Sequence, residues 1–307
     1  MNDRFAPQLK LAKSPKLIDY LLGKVIMPIH VEISLVGFCN AGCSFCFYNN
    51  KVTDTLKGWD KNSLKTEALN VLFRDFALLG IKAISYKGGG DSSLHKDIKE
   101  IVQMAYNYEL KQGFITNGLI VKYDPKLLEW VRVSLTDKPW PIENLKKLRE
   151  CKVLGMNVNY QGDEDEVKRS LDIAYQVNAD YLEVRPAFKL NGKTTSIEEP
   201  KLEDPKLKKI GYKFEDVKIP HGTYYTKCQG YHFTPFLWQD GDVDVCAYHK
   251  DKKEYNLGNI YRDSFAQIMT RAPKSVEVIP TCQVCCREHE ANKLINSMQT
   301  LKDEDFV

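Results

Sequence analysis

The chain has 307 residues, 43% hydrophobic and 28% charged, which is ordinary for a globular protein with enough apolar surface for one large or two modest domains. Its 44 Lys and Arg face 41 Asp and Glu, and a net charge of +3 argues against a strongly basic nucleic-acid or membrane-surface binder. Residues 1–16 are polar and broken by Pro7 and Pro15, and no stretch reaches the ~18–20 apolar residues of a membrane span. With no signal peptide visible, a cytoplasmic location is expected.

Strand-like and helix-like segments alternate through the first two-thirds. Ile29–Val36 reads as a strand, and Ser63–Leu79 carries apolar residues at helical spacing up to Gly80. Ile81–Tyr86 is the next strand and runs into Gly88–Gly90. Leu94–Tyr108 reads as a helix, and Gly113–Thr116 as a strand closed by the turn pair Asn117-Gly118. Trp130–Leu135 alternates as a strand does, Pro141–Glu150 is helical, and Met156–Tyr160 is a strand. Asp163–Gln176 is a helix, with Asp163–Glu166 read as a solvated face, and Tyr181–Val184 is a last strand before Pro186. Repeated strand–helix units mean a parallel sheet, either doubly wound or an incomplete barrel, with chemistry at the carboxyl ends of the strands. The segment 189–220 shifts to Lys, Glu, Asp, Pro and Gly and is expected to be a linker or lid. The remainder is rich in aromatics, with short strands around Gly241 and a helix after Cys286.

Nine cysteines in a chain of this length, without a signal peptide, point to thiol or metal chemistry rather than a disulfide framework. Three lie in Cys39-Asn-Ala-Gly-Cys43-Ser-Phe-Cys46, five lie between Cys228 and Cys286, and Cys151 stands alone. Three thiolates on one loop can hold a 4Fe–4S cube and leave one iron open for a small molecule. A structural zinc site normally wants four Cys or His ligands in paired spacing, and no fourth ligand lies near the first cluster.

Cys39-x3-Cys43-x-Phe45-Cys46, in the loop after the first strand of an α/β repeat, resembles the signature of the radical S-adenosylmethionine (SAM) superfamily. The resemblance implies a partial (β/α)6 TIM-like barrel over residues 29–188, after an N-terminal extension at 1–28. In that family the three cysteines bind a 4Fe–4S cluster whose fourth iron is chelated by SAM. Reductive cleavage of SAM gives a 5′-deoxyadenosyl radical, which abstracts hydrogen from a substrate. The resemblance implies that Phe45 lies against the adenine. Lys87-Gly88-Gly89-Gly90-Asp91 is similar to the Gly-Gly-Glu-Pro motif that meets the SAM amino group, with Asp91 in place of Glu and Ser92 in place of Pro. Glycine suits a backbone that must approach a ligand closely. Thr116-Asn117-Gly118 matches the third-strand end and could equally be a simple turn. Ser134, in Ser134-Leu-Thr-Asp137, matches a fourth-strand serine that meets SAM.

Cys228-x12-Gly241-x4-Cys246 followed by Cys282-x2-Cys285 could hold zinc or iron on spacing alone. It resembles the twitch domain, a shortened SPASM domain that follows many radical SAM barrels and carries one auxiliary 4Fe–4S cluster. This implies a small domain at 221–307 with Cys228, Cys246, Cys282 and Cys285 as ligands, Cys286 being the alternative to Cys285. A closed cluster fits electron transfer and hence net oxidation of a substrate. Cys151 is expected to be buried and inert.

Arg185, in Glu183-Val-Arg185-Pro186, matches an arginine of the family's substrate pocket and could instead pair with Glu183. The expected function is hydrogen abstraction from a small polar molecule (sugar, aminocyclitol or nucleoside), which is oxidised or epimerised with help from an external one-electron reductant such as flavodoxin or ferredoxin. The alternatives are modification of a peptide or protein, tailoring of a nucleotide, and a non-enzymatic zinc module. Too few residues precede the first strand for a peptide-recognition domain, and near-neutral charge makes a directly bound nucleic-acid polymer improbable.

Overall fold

The alternating segments assemble into one sheet whose helices lie along its outer face. The computed structural model describes residues 7–43, 46, 48, 60–136, 139–186, 199–202, 204–208, 210–214, 225–250, 252–279, 282 and 288–301. Helices α1 (Pro7–Ala12) and α2 (Pro15–Leu21) precede β1 (His30–Ile33). Then follow α3 (Thr66–Leu78), β2 (Ala83–Tyr86), α4 (Ile98–Asn107), β3 (Lys111–Thr116), β4 (Trp130–Leu135), α5 (Ile142–Leu148) and β5 (Leu154–Tyr160). Next come α6 (Glu164–Gln176), β6 (Tyr181–Pro186) and β7 (Gly211–Phe214). The C-terminal part adds β8 (Lys227–Cys228), β9 (Phe236–Leu237), β10 (Asp242–Asp244), β11 (Asn256–Asn259), α7 (Phe265–Arg271), β12 (Val276–Glu277) and α8 (His289–Thr300).

Strands β1 to β7 lie side by side in chain order, each parallel to the next. Right-handed crossovers of this kind curl a parallel sheet, and the result is the partial TIM-like barrel expected from the sequence. One set of side chains, including Val31, Ile33, Val131, Val133, Met156, Val158, Leu182 and Val184, packs under the helices as the main core. The residues between them face the barrel interior.

Helix boundaries follow local chemistry. The acids at Asp163–Glu166 are more than a solvated face: the Asp163 carboxylate caps α6 by accepting from the N–H groups of Asp165 and Glu166. The other acids sit in the first turn, where the helix dipole favours negative charge. Helix α3 stops at Gly80, whose φ of 69° lies in the left-handed region.

Two features differ from the expected division. The segment 189–220 is not only a linker, because Gly211–Phe214 pairs with β6 as the parallel strand β7. The flanking charged residues hide a strand of four residues from pattern reading. At the opposite edge β9 pairs parallel with β1, matching Glu32 to Phe236 and Ile33 to Leu237. The C-terminal part therefore continues the barrel sheet through the β9–β10 hairpin, which turns at Gly241. The N-terminal helices close against the C-terminal one, with Leu11, Leu17 and Ile26 packed on Phe233, Ala291 and Ile295.

Two strand glycines shape the lower interior. A Cβ on Gly113 would lie 2.1 Å from the Trp130 indole, and one on Gly155 would lie 2.0 Å from the Tyr181 ring. Each glycine thus makes room for the aromatic residue of the adjoining strand, and the pair of rings fills the interior below the site. Gly155→Ala should cost about 1–3 kcal/mol by overpacking, read as a lower urea midpoint at unchanged slope. An unshifted midpoint would contradict this packing.

Candidate functional site

The ends of β1, β2 and β3 carry the first site. After β1 the chain passes through Phe38, Cys39 and Ala41, and the Gly88–Gly90 turn after β2 is pressed directly against it. The Asp91 N–H donates to the Phe38 carbonyl at 3.0 Å, and a Cβ on Gly90 would lie 2.0 Å from that same oxygen. Gly88 has a φ of 121°, and a Cβ there would strike Phe236 and Ser34. The Gly89 N–H donates to Ser34 Oγ at 3.1 Å, and Ser34 donates to Gln239 Oε1 at 3.0 Å. Gln239 in turn donates to Asp60 at 2.8 Å. The C-terminal hairpin therefore buttresses the glycine turn from below.

Asp91 is 4% exposed, and its carboxylate is occupied by the protein itself. Oδ1 accepts from the Ser93 N–H at 3.0 Å and from the Ser93 hydroxyl at 2.6 Å. Oδ2 accepts from the Thr116 hydroxyl at 2.9 Å and from the Asn117 N–H at 2.7 Å. Such a carboxylate has no lone pair left for an amino group of a ligand. Asp91 therefore differs from the expected SAM contact. It is one methylene shorter than the family's Glu, and it ties the end of β2 to the end of β3.

That tie fixes Asn117. Its Nδ2 donates to Asn40 Oδ1 at 2.8 Å and stands 3.6 Å from Cys39 Sγ, on which the Ala41 N–H also converges at 3.5 Å. Burial pushes the Cys39 thiol up, while the Ala41 and Asn117 donors act in the opposite direction. N–H groups aimed at sulfur stabilise a thiolate, so the donor set fits a cluster ligand. Cys43 and Cys46 share the loop, joined by the Cys46 N–H to the Cys43 carbonyl at 3.2 Å. Phe45 and Asp137 lie outside the described residues.

The inward side chains of β4, β5 and β6 form a polar wall, since register places Ser134, Asn157 and Glu183 in one row. Glu183 is 1% exposed and bridges two arginines. Its Oε2 is 3.1 Å from Arg132 Nη1 and 3.1 Å from Arg185 Nε. Arg185 thus pairs with Glu183 and also borders the interior. Two guanidinium groups share this one carboxylate. Across the barrel, Lys87 and Glu32 form a buried pair at 2.7 Å. Asn157 Oδ1 is buried and has no hydrogen-bond partner among the described residues. The pattern of the sequence singled out Ser134 and Arg185 here, and missed Arg132 and Asn157.

The second cysteine group lies under the hairpin. Cys228 is on β8, Cys246 follows β10, and Cys282 follows β12. Cys285 and Cys286 lie outside the described residues. The buried side chain of Asn292 on α8 donates to Cys228 Sγ at 3.4 Å and accepts from the Gln229 and Gly230 N–H groups. Burial pushes the Cys228 thiol up to about 12, so only a bound cation would hold it as thiolate at neutral pH. His249, absent from the sequence reading, lies with its Nε2 3.3 Å from Cys282 Sγ. Among the described residues no three His, Cys, Asp or Glu side chains gather around a single metal ion. A cubane sets each thiolate on a separate iron, so its ligands stand further apart than those of one ion. Cys151 is buried in the main core, away from both groups.

The fold and these sites define an α/β-barrel protein with clustered thiols at the carboxyl ends of its strands. The model of the radical SAM superfamily matches residues 33–190, more than half of the chain. The chain belongs to the radical SAM superfamily, whose members bind SAM and a 4Fe–4S cluster, and Cys39, Cys43 and Cys46 are the thiols that could hold that cluster here.

A curated protein described as an S-adenosylmethionine-dependent nucleotide dehydratase, from Selenomonas ruminantium, is 31% identical over 106 residues, 33% of this chain and 34% of the relative. The match thus spans about a third of that relative's length. The crystal structure of Streptococcus suis SuiB bound to S-adenosylmethionine is similar at a TM-score of 0.59 and 17% identity, covering 86% of this chain and 71% of SuiB. Native anSMEcpe with bound AdoMet gives 0.53 and 13%, covering 87% and 89%. At these identities the structures share the fold. Among the described residues no helix is long and apolar enough to cross a membrane.

Asp91→Asn would place an amide N–H₂ against the Asn117 N–H or the Thr116 hydroxyl. A loss of about 1–3 kcal/mol is expected in the metal-free protein, measured by denaturant unfolding. Stability equal to wild type would show that the carboxylate is not the tie described.

Proposed function

We propose that this enzyme abstracts hydrogen from a small polar substrate of the sugar, aminocyclitol or nucleoside type and either oxidises it, with a second 4Fe–4S cluster as electron acceptor, or epimerises it by return of a hydrogen atom to the substrate radical. The observation that carries the reading is the inner wall, where Ser134, Asn157 and the Arg132–Glu183–Arg185 group offer hydroxyl, amide and cationic contacts in one place. When bound, the first cluster and SAM supply the electron and the 5′-deoxyadenosyl radical that takes the hydrogen atom. The residues of the chain do the rest. Asp91 holds Asn117 against Cys39, the Gly88–Gly90 turn fits tightly against Phe38 and Phe236, and Ser134 would meet SAM as the family resemblance implies.

Net oxidation removes one hydrogen atom, one further electron and one proton from the substrate. Cys228, Cys246, Cys282 and Cys285 would hold the acceptor of that second electron, and the proton would leave to solvent, since Glu183 is held ionised between two guanidinium groups. An external one-electron reductant such as flavodoxin or ferredoxin would supply the first electron. Within the substrate class, nucleotides gain support from the name of the Selenomonas ruminantium relative.

Candidate nucleosides, nucleotides and amino sugars carrying carbon-bound deuterium can be screened with reconstituted enzyme, SAM and reductant. Deuterium should appear in 5′-deoxyadenosine with one of them, and its absence across the panel would contradict the substrate class. With that substrate, Cys246→Ala should still release 5′-deoxyadenosine but lose at least tenfold in oxidised product. An unchanged product yield would contradict the acceptor role of the second cluster.

A further inference from the structure

His249 lies three residues after Cys246 in Cys246-Ala-Tyr-His249, on the loop that leaves β10. The spacing is that of a metal-binding C-x2-H pair, yet the geometry around the ring is of another kind. The residue is 3% exposed and its ring packs on Tyr255, with centroids 4.8 Å apart. Nε2 stands 3.3 Å from Cys282 Sγ, within hydrogen-bonding range of sulfur. Nδ1 is buried and has no hydrogen-bond partner among the described residues.

These two nitrogens decide the tautomer. If Nε2 gave its lone pair to an iron, the ring proton would sit on Nδ1, a buried N–H facing no acceptor. Orphaned buried N–H groups are much rarer than under-satisfied acceptors. With the proton on Nε2, the donor points at sulfur and the bare Nδ1 lone pair is the group left unsatisfied. In the imidazolium form Nε2 also carries a proton, so the direction of the bond is the same.

We infer that His249 is a positioning residue of the second cluster, donating its Nε2–H to the Cys282 thiolate and raising the reduction potential of that cluster. The inference rests on the two-cluster reading given above. A hydrogen bond into a ligand sulfur stabilises the more negative, reduced state, so the potential rises. This would make the cluster a better acceptor for the electron of a substrate radical. Asn117 beside Cys39 and Asn292 beside Cys228 supply comparable donors. Of these three, Asn292 and His249 face sulfurs of the second group, and His249 alone is an imidazole.

The test is an EPR-monitored redox titration of anaerobically reconstituted full-length enzyme, with iron and sulfide counted in the same samples. Wild type should hold about eight irons. About four would overturn the two-cluster reading, and the His249 assignment with it. His249→Leu should keep both clusters and show a downward shift of the auxiliary potential, while His249→Gln, whose amide can donate, should stay nearer wild type. An unmoved potential in His249→Leu at full iron loading would overturn the His249 assignment alone. A nitrogen directly coordinated to the auxiliary cluster of wild type, seen by pulsed EPR, would also overturn it and make His249 a ligand. If His249→Leu fails to assemble, wild type labelled with ¹⁵N-histidine decides, because Asn292 also brings an exchangeable proton to this group. A weak coupling from a histidine nitrogen that is not an iron ligand is expected, and its absence refutes the donor.

Discussion

The buried carboxylate of Asp91 is the constraint on which the first site depends. It receives the Ser93 N–H and hydroxyl from its own turn and the Thr116 hydroxyl and Asn117 N–H from the next strand. Its own N–H reaches back to the Phe38 carbonyl, next to Cys39. The carboxylate thus joins the ends of β2 and β3, and the backbone of the same residue joins them to the end of β1. A buried charge held by four donors is costly to disturb, because removing any one donor leaves the carboxylate under-solvated. The consequence for chemistry is indirect. Asn117 is presented to the Cys39 sulfur, and the glycine turn lies flat beside the cysteine loop.

A second theme links the two cysteine groups. Cys39 meets the Asn117 amide, Cys228 meets the Asn292 amide and Cys282 meets the His249 imidazole. Each of these side-chain donors comes from a different element from the sulfur it faces, so tertiary packing adds to the local backbone donors, such as the Ala41 N–H on Cys39, in orienting the sulfurs. The β9–β10 hairpin joins the two regions. It adds β9 to the edge of β1, sends Gln239 under the glycine turn and leads directly into Cys246. An electron acceptor mounted on such a hairpin is rigidly connected to the barrel whose chemistry it would serve.

The sequence made the parallel sheet legible because β1 to β6 are short apolar runs punctuated by helices with clear periodicity, while the barrel was implied only by the family resemblance. Trp130–Leu135 was readable to the residue, since its inward and outward side chains differ sharply in polarity. Strand β7 was not legible, because a strand of four residues within a charged segment carries too little pattern. The cysteine spacings were visible as text, and so was the glycine turn after β2. What could not be read was the direction of a side chain. Asp91 was placed toward SAM by its position in a motif, and only the packing reveals that Thr116 and Asn117 occupy it. The pairing of Arg185 with Glu183 was readable as a possibility, but Arg132 gave no signal, since its pairing with Glu183 across strands depends on register. His249 was detectable in principle from its spacing to Cys246, but its value comes from Cys282, which is 33 residues away along the chain.

The account as a whole claims two iron–sulfur centres of different kinds in one chain, the first open to SAM and the second closed. Anaerobic reconstitution of wild type and of a variant with Cys39, Cys43 and Cys46 all changed to Ala, followed by iron analysis, EPR and assay of SAM cleavage, tests this most directly. Wild type should carry two clusters and release 5′-deoxyadenosine under reduction. The variant should keep one cluster and release none. A colourless wild-type protein containing zinc, or a variant that still cleaves SAM, would contradict the account.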